Sequence, residues 1–341
     1  MSKSKKMKKK IITGLTMGEP AGISSEITLK IWKNYRNKLN PFIFFGDSDS
    51  LLRTNALLKY NVPIKKIKKI NDAFDIFKNY LPVYEIKLNE KEKFGKPSTK
   101  NVPKVLLSIK KCIKFALKKK ISCIVTNPVE KNIIKKKNKE FDGHTFYISK
   151  ITKTKKPVML LTSPKISVVP ITQHVSLKNA IKQITKNRII WTTIKINKFL
   201  IDNFSLLKPK IAITGLNPHA GENGNFGDEE DKHIKPAIKE LKSNGINITG
   251  PYPADTIFNK EISESFDVII CMYHDQATIP IKTIDFYNGV NITIGLPIIR
   301  TSPDHGTGFD IAGKGKASEK SLFAALIKAN EISQKRKNWT Q

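Results

Sequence analysis

The stretch Ile211-Ala212-Ile213-Thr214-Gly215-Leu216-Asn217-Pro218-His219-Ala220-Gly221-Glu222 passes from a short apolar run into glycine, asparagine, proline and histidine. A short apolar run without alternation suits a strand buried on both faces, and Gly, Asn and Pro mark the turn that ends it. The amphipathic segment His233–Asn244 then reads as a helix. The same unit recurs outward from here. Ile11–Leu15, Phe42–Phe45, Cys123–Val125, Val158–Leu161, Val268–Met272 and Val290–Ile294 read as further buried strands. Val105–Lys118, Leu177–Phe204 and Ser318–Lys335 read as helices. Strands alternating with helices predict an α/β fold with a largely parallel sheet. Polar segments follow several strand ends, Gly18–Ser24, Asn217–Gly227 and His274–Pro280 among them. Ligand sites in open α/β sheets collect at those carboxyl ends.

A chain of 341 residues, 39% of them hydrophobic, can bury one large or two medium cores. Cys112, Cys123 and Cys271 form no CxxC pair, which excludes a disulfide scaffold and a cysteine-based zinc module and fits a reducing cytoplasm. No apolar run is long enough for a membrane span. The basic start, Met1 to Lys10, reads as a lysine-rich tail, because Gly14, Gly18, Glu19 and Pro20 interrupt the apolar stretch that a signal peptide needs.

The net charge of +32 invites a nucleic-acid reading. Only Arg36, Arg53, Arg188, Arg300 and Arg336 are arginine, the residue that reads phosphates and guanines bidentately. Residues 211–312 hold 7 basic and 14 acidic residues, so the basic excess lies outside the segment richest in His, Gly and Pro. Lysine runs such as Lys118-Lys119-Lys120 and Lys135-Lys136-Lys137 are expected on solvated helix faces or in turns, as compositional drift toward lysine would leave them.

Five of six histidines, His144, His174, His219, His274 and His305, stand among Gly, Pro, Thr, Gln or Asp; His233 reads as an exposed helix residue. Neutral imidazoles at strand ends can assemble a divalent metal site, although each alone serves equally well as a hydrogen-bonded structural residue. No HExxH pair exists, so such a site would draw on separate loops. Lys282, Asn291 and Arg300 could hold a phosphate or carboxylate. The G-x-G-x-x-G fingerprint follows no candidate strand.

Taken in order, a set of motifs resembles the 4-hydroxythreonine-4-phosphate dehydrogenase family. They are Thr16-Met17-Gly18-Glu19-Pro20-Ala21-Gly22-Ile23, Val125-Thr126-Asn127-Pro128-Val129-Glu130-Lys131, Gly143-His144-Thr145, Asn217-Pro218-His219-Ala220-Gly221-Glu222, Gly250-Pro251-Tyr252-Pro253-Ala254-Asp255-Thr256, Tyr273-His274-Asp275-Gln276 and Arg300-Thr301-Ser302-Pro303-Asp304-His305-Gly306-Thr307. Asp304 to Gly315 is also similar to the adenine-side loop of isocitrate and isopropylmalate dehydrogenases, which bind NAD(P) without the glycine fingerprint.

The resemblance implies a two-domain fold of the isocitrate/isopropylmalate dehydrogenase type with an interdomain active-site cleft. We expect a first α/β domain from 1–134 plus 282–341 and a second from 135–281. It implies a cytoplasmic homodimer that uses NAD or NADP and one divalent metal ion (Zn, Co or Mg) per subunit, with no membrane or nucleic-acid partner. The metal ligands fall on His174, His219 and His274, the last supplied across the subunit interface. Substrate-binding positions fall on His144, Thr145, Lys282, Asn291 and Arg300. Cofactor positions fall on His305, Gly306, Thr307, Asp310 and Ala312. Asp255 and Asp275 are the candidates for the base, or else orient a metal-bound imidazole. The implied reaction oxidises 4-phosphooxy-L-threonine to 2-amino-3-oxo-4-(phosphooxy)butanoate, which decarboxylates to 3-amino-2-oxopropyl phosphate in pyridoxal 5′-phosphate biosynthesis. A sister activity on threonate or erythronate 4-phosphate is the near alternative, and a basic nucleic-acid-binding protein without catalysis the distant one. The chain departs from the family at Glu19 (usually Asp), Ser24 (usually Gly), Phe146 (usually Glu) and Ala277 (usually Gly).

Overall fold

A computed structural model describes residues 10–336. Of the expected lysine-rich tail only Lys10 is therefore described; the rest lies outside the described residues. The chain forms two compact units, residues 1–155 with 296–341, and residues 156–295. The unit bounds fall later than the divisions at 134 and 281 that the resemblance implies. Residues 290–294 pair along their whole length with residues 158–162, which holds them, and Lys282 before them, in the second unit.

Unit 1 contains β1 (Thr13–Thr16), α1 (Ser24–Tyr35), β2 (Phe42–Gly46), α2 (Ser48–Leu57), β3 (Ile64–Lys66), α3 (Asp72–Ile76), β4 (Leu81–Glu85), α4 (Val102–Leu117), β5 (Cys123–Val125), α5 (Lys131–Lys135) and α6 (His144–Ile151). Its strands lie in the order β3-β4-β2-β1-β5 and continue to β12 (Arg300–Pro303), all parallel. Each strand of the centre is buried throughout, as the apolar runs of β2 and β5 demand; in β1 the buried Thr13 hydroxyl is satisfied by donating to Asn330 Oδ1. On α4 the buried positions Val105, Ile109, Cys112, Ile113 and Ala116 follow the helical repeat. Ser108 sits on that face because its hydroxyl donates to the Phe45 carbonyl (2.6 Å) and accepts from the Met17 amide (2.9 Å), tying α4 to two strand ends.

Unit 2 contains β6 (Val158–Thr162), β7 (Ser167–Pro170), α7 (Leu177–Gln183), α8 (Lys186–Phe204), β8 (Ile211–Thr214), α9 (Lys235–Ser243), β9 (Ile248–Tyr252), α10 (Lys260–Ser263), β10 (Val268–Cys271), α11 (His274–Asp285) and β11 (Val290–Ile294). The chain then returns to unit 1 through β12 and α12 (Lys320–Lys335). The strand order is β11-β6-β7-β10-β8-β9. From β7 to β9 the strands run parallel; β11–β6 and β6–β7 are antiparallel, so the sheet is largely rather than wholly parallel. Leu161, Val168, Ala212, Ile269, Ala277 and Ile281 form its core.

Three expectations change. The segment 177–204 is two helices, because Thr185 leaves the helical region and its hydroxyl accepts from the Arg188 amide, capping α8. His274–Pro280, expected as a polar strand-end segment, is the start of α11, which tolerates Pro280. The lysine runs are exposed, as expected, and His233 is half-buried in a π turn rather than on an exposed helix. All three cysteines are buried free thiols. No helix among the described residues is long and apolar enough to cross a membrane.

Candidate active site

In unit 1 the chemistry lies beyond the carboxyl ends of β1 and β5 and at the start of β12. Arg300 opens β12 and is only 4% exposed. Its Nε and Nη2 donate to the Thr126 hydroxyl at 3.2 and 2.8 Å. Burial draws the guanidinium down to about 10, which leaves it charged at neutral pH. His144 begins α6, directly after Gly143 at φ +99°, where a side chain would crowd the Lys131 stem. Burial holds the His144 imidazole well below its usual range, and the charges of Arg300 and Lys131 add to that. Its Nε2 is buried with no hydrogen-bond partner among the described residues. Thr145 follows within the same first turn, while Phe146, where the family has Glu, points outward at 49% exposure.

Glu19 lies in the loop after β1 with its amide donating to the Pro128 carbonyl (2.8 Å) and one carboxylate oxygen accepting from the Ala21 amide (3.1 Å). Burial pushes this carboxyl up to about 7, and the negative Glu130 adds to the rise. The 304–315 loop packs against the same region. Ile23 donates its amide to the Thr307 carbonyl at 3.0 Å, and a Cβ on Gly22 would come within 2.5 Å of that oxygen, so only glycine fits. Glu26 accepts from the Gly315 and Ala317 amides and pairs with Lys30, clamping the far end of the loop. Within it His305 has a buried Nε2 without a hydrogen-bond partner among the described residues, and burial lowers its imidazole. Thr307 and Ala312 are buried, Gly306 and Asp310 exposed.

In unit 2 the three expected metal histidines follow three neighbouring parallel strands. His174 lies beyond β7, His274 directly beyond β10 and His219 beyond β8. His174 (φ +47°) and His219 (φ +51°) occupy the left-handed region that non-glycine residues rarely adopt. His219 opens five successive left-handed residues, through Asn223. Such strain persists only where neighbours enforce it. Glu230 does so here: its carboxylate accepts from the Leu216 and Asn217 amides and the Asn217 side chain at 2.7–2.8 Å, and it is 2% exposed. Gln276 joins two of the loops, accepting from Thr214 Oγ1 and the Met272 amide and donating to the Gly215 carbonyl. The Thr172 hydroxyl ties the third to the Met272 carbonyl.

His174 and His274 come together in one chain, their ring centroids 5.3 Å apart. Asp275 Oδ1 lies 2.7 Å from His274 Nδ1, which leaves the other ring nitrogen for a ligand. His219 lies instead near Phe226, its ring tilted 50° to that ring, and among the described residues no three His, Cys, Asp or Glu gather closely enough to hold a metal ion. One chain thus offers two converging imidazoles, fitting part of a metal site. Asp255 is exposed with no hydrogen bond among the described residues. Lys282 is exposed in the last turn of α11, and Asn291 on β11 has a buried Oδ1 without a hydrogen-bond partner among the described residues. Ala277 is fully buried in the core, so its methyl is absorbed by packing.

Glu230 and Gln276 escape sequence reasoning. Glu230 stands in the acidic run Asp228-Glu229-Glu230-Asp231, which reads as a solvated face; its spacing behind a Gly-Pro-Gly-rich turn is the only signal of its burial.

Comparison with known proteins places these features in a lineage. The family model for pyridoxal phosphate biosynthetic protein PdxA matches residues 37–329. The 4-hydroxythreonine-4-phosphate dehydrogenase of Bradyrhizobium diazoefficiens is 40% identical over 332 residues, covering 94% of this chain and 96% of the relative. That of Sulfurihydrogenibium sp. is 39% identical, covering 95% and 98%. The crystal structure of the Klebsiella pneumoniae 4-hydroxythreonine-4-phosphate dehydrogenase superposes with a TM-score of 0.85 at 33% identity, covering 95% of this chain and all of that one. Matched along nearly its whole length, the chain belongs to the PdxA family of pyridoxal phosphate biosynthetic proteins.

Proposed function

We propose that this chain is an NAD(P)-dependent dehydrogenase that oxidises 4-phosphooxy-L-threonine at C3. Oxidation removes the C3 hydrogen as hydride, which a bound nicotinamide would accept, and the hydroxyl hydrogen as a proton, giving 2-amino-3-oxo-4-(phosphooxy)butanoate. Loss of the carboxyl group as CO2 then yields 3-amino-2-oxopropyl phosphate, on the path to pyridoxal 5′-phosphate. The observation that carries the reading is where the buried polar atoms without partners fall. His144 Nε2, Asn291 Oδ1 and His305 Nε2 are among them. All three lie on positions that the family resemblance assigns to substrate or cofactor. Buried polar groups are ordinarily satisfied, so groups left unsatisfied in the folded chain are suited to a ligand.

Each group then has a task. Arg300, fixed by Thr126, and Lys282 supply positive charge for the substrate phosphate and carboxylate. His144, kept neutral, and Thr145 donate or accept hydrogen bonds without adding charge, and Asn291 contributes its amide. His305, Gly306, Thr307, Asp310 and Ala312 lie on the loop that takes the nicotinamide cofactor. His174, His219 and His274 would hold one divalent metal ion per subunit, with a second copy of the chain completing the trio; the resemblance gives His274 to that second copy, but His174 and His274 converge within one chain while His219 lies apart, so His219 is the ligand better placed to come from it. Once bound, the metal supplies Lewis-acid polarisation at the alcohol to be oxidised. Asp275 fixes the tautomer of His274, and Asp255, exposed and unengaged, is the carboxylate available to accept the hydroxyl proton. The homodimer is further supported by Val175, Leu177, Ile279, Phe286 and Tyr287, large apolar side chains left exposed in unit 2.

Purified chain is assayed for NADH or NADPH formation with 4-phosphooxy-L-threonine and each of Zn²⁺, Co²⁺ and Mg²⁺. Turnover with this substrate and not with threonate or erythronate 4-phosphate is expected. Preference for either of the latter would transfer the assignment to a sister activity.

A further inference from the structure

Unit 2 holds a cavity of about 580 Å³ that none of the roles above uses. Val158 and Ile171 contribute apolar wall, and Lys156, Asn187, Arg188 and Trp191 contribute donors. No carboxylate lines it. Arg188 is the organising residue. Its Nε donates to the Ile171 carbonyl (3.1 Å) and its Nη1 to Gln183 Oε1 (2.6 Å), which fixes the plane of the guanidinium. Nη2 has no acceptor among the described residues, and no carboxylate pairs with the group. Burial pulls the guanidinium below its usual value, so part of its hydration is lost with no anion in exchange. Trp191 lies one helical turn along α8, and its indole N–H likewise makes no hydrogen bond among the described residues. Lys156 and Lys195 place their ammonium groups 5.9 and 4.2 Å from the centre of its ring. A lysine-rich surface would give cations at random. It would not give a guanidinium clamped by two neutral acceptors beside an unengaged indole in a space of ligand size.

We propose that this cavity is a second binding site, for a small organic anion: a carboxylate or phosphate ester carried on an apolar, preferably aromatic, body. The acid group meets Arg188 Nη2 and the Trp191 N–H, and the body rests on Val158 and Ile171. The site stands independently of the dehydrogenase reading, because its test reads binding and not turnover. It has a mechanical link to the reaction centre all the same, since Arg188 holds the carbonyl of Ile171, three residues before His174.

The full chain is titrated with phenyl phosphate, following tryptophan fluorescence and calorimetric heat together. Saturable binding with a change in emission is expected. The change persists in Trp32→Phe and vanishes in Trp191→Phe. Arg188→Gln removes a charge-assisted hydrogen bond and weakens binding by about tenfold or more. Asn187→Phe, at an exposed position, blocks the cavity without touching the clamp and gives the same loss, so the test survives a poorly folded Arg188 variant. Inorganic phosphate and benzyl alcohol, each carrying half of the recognised chemistry, bind at least about tenfold more weakly. Wild-type affinity in both Arg188→Gln and Asn187→Phe would place the phosphate ester elsewhere and overturn the proposal, as would an emission change that survives Trp191→Phe.

Discussion

Glu19 is buried where the chain can least use a negative charge, with Glu130 adding its own. Its carboxyl titrates at about 7 in the folded chain against 4.5 as an isolated group, so between those values the folded state binds the proton that the unfolded state has lost. Stability therefore falls as pH rises through that window. Below it both states are protonated and the effect disappears. Glu19→Gln removes the ionisation, and we expect it to stabilise the protein at pH 8 by on the order of 2–3 kcal/mol while leaving stability at pH 4 unchanged. Denaturant unfolding at the two pH values measures this; an equal effect at both would show that folding does not raise the Glu19 carboxyl. His144 has the opposite sign. Its folded pKa is depressed by burial, Arg300 and Lys131, so it adds stability that is present above the unfolded value of 6.5 and lost as pH falls. Its ring is expected to stay neutral at about pH 6, where an exposed histidine is largely protonated, and the imidazole proton shifts in an NMR titration report it directly.

The three strand-end loops of unit 2 are built as a set, and Glu230 is the part whose loss should disturb them most. Five consecutive left-handed residues would relax were the Glu230 carboxylate not accepting three N–H groups from the start of the same loop. Glu230→Gln turns one acceptor into a donor facing the Asn217 amide. A destabilisation of about 1–3 kcal/mol is expected, together with weaker Zn²⁺ binding by the otherwise intact histidines, both measured by calorimetry. Unchanged stability would mean that the turn is held by something other than this carboxylate. The elements themselves were largely legible. Apolar runs mark β2, β5, β6, β8 and β10, because a strand buried on both faces has few polar positions to confuse it. The break between α7 and α8 was not, since Thr185 in a helical pattern looks like any polar surface residue until its hydroxyl is seen to cap. Likewise the motif histidines stand out from sequence, whereas Glu230 is hidden in an acidic run whose burial depends on a turn that sequence does not display.

At the scale of the molecule, the charge of +32 and the exposed apolar side chains pull in different directions. Lysines on solvated faces keep copies of the chain apart through mutual repulsion. Yet among the described residues ten of the fifteen large hydrophobics that stand exposed lie in unit 2, and Ile279, Phe286 and Tyr287 sit on or just beyond α11, the helix that opens with His274. Apolar surface concentrated beside a partial metal site is what a shared, two-copy site requires. Ile279 is 63% exposed and contributes little to the fold of its own chain, so Ile279→Glu tests the coupling without disturbing the core. The variant should sediment as a monomer with an unchanged unfolding midpoint in the absence of metal. It should also lose Zn²⁺ binding, although His174, His219 and His274 are all intact. A monomeric variant that binds Zn²⁺ as tightly as the parent would show that a single chain closes the site, and the two-copy reading would fall while the histidine assignment survived.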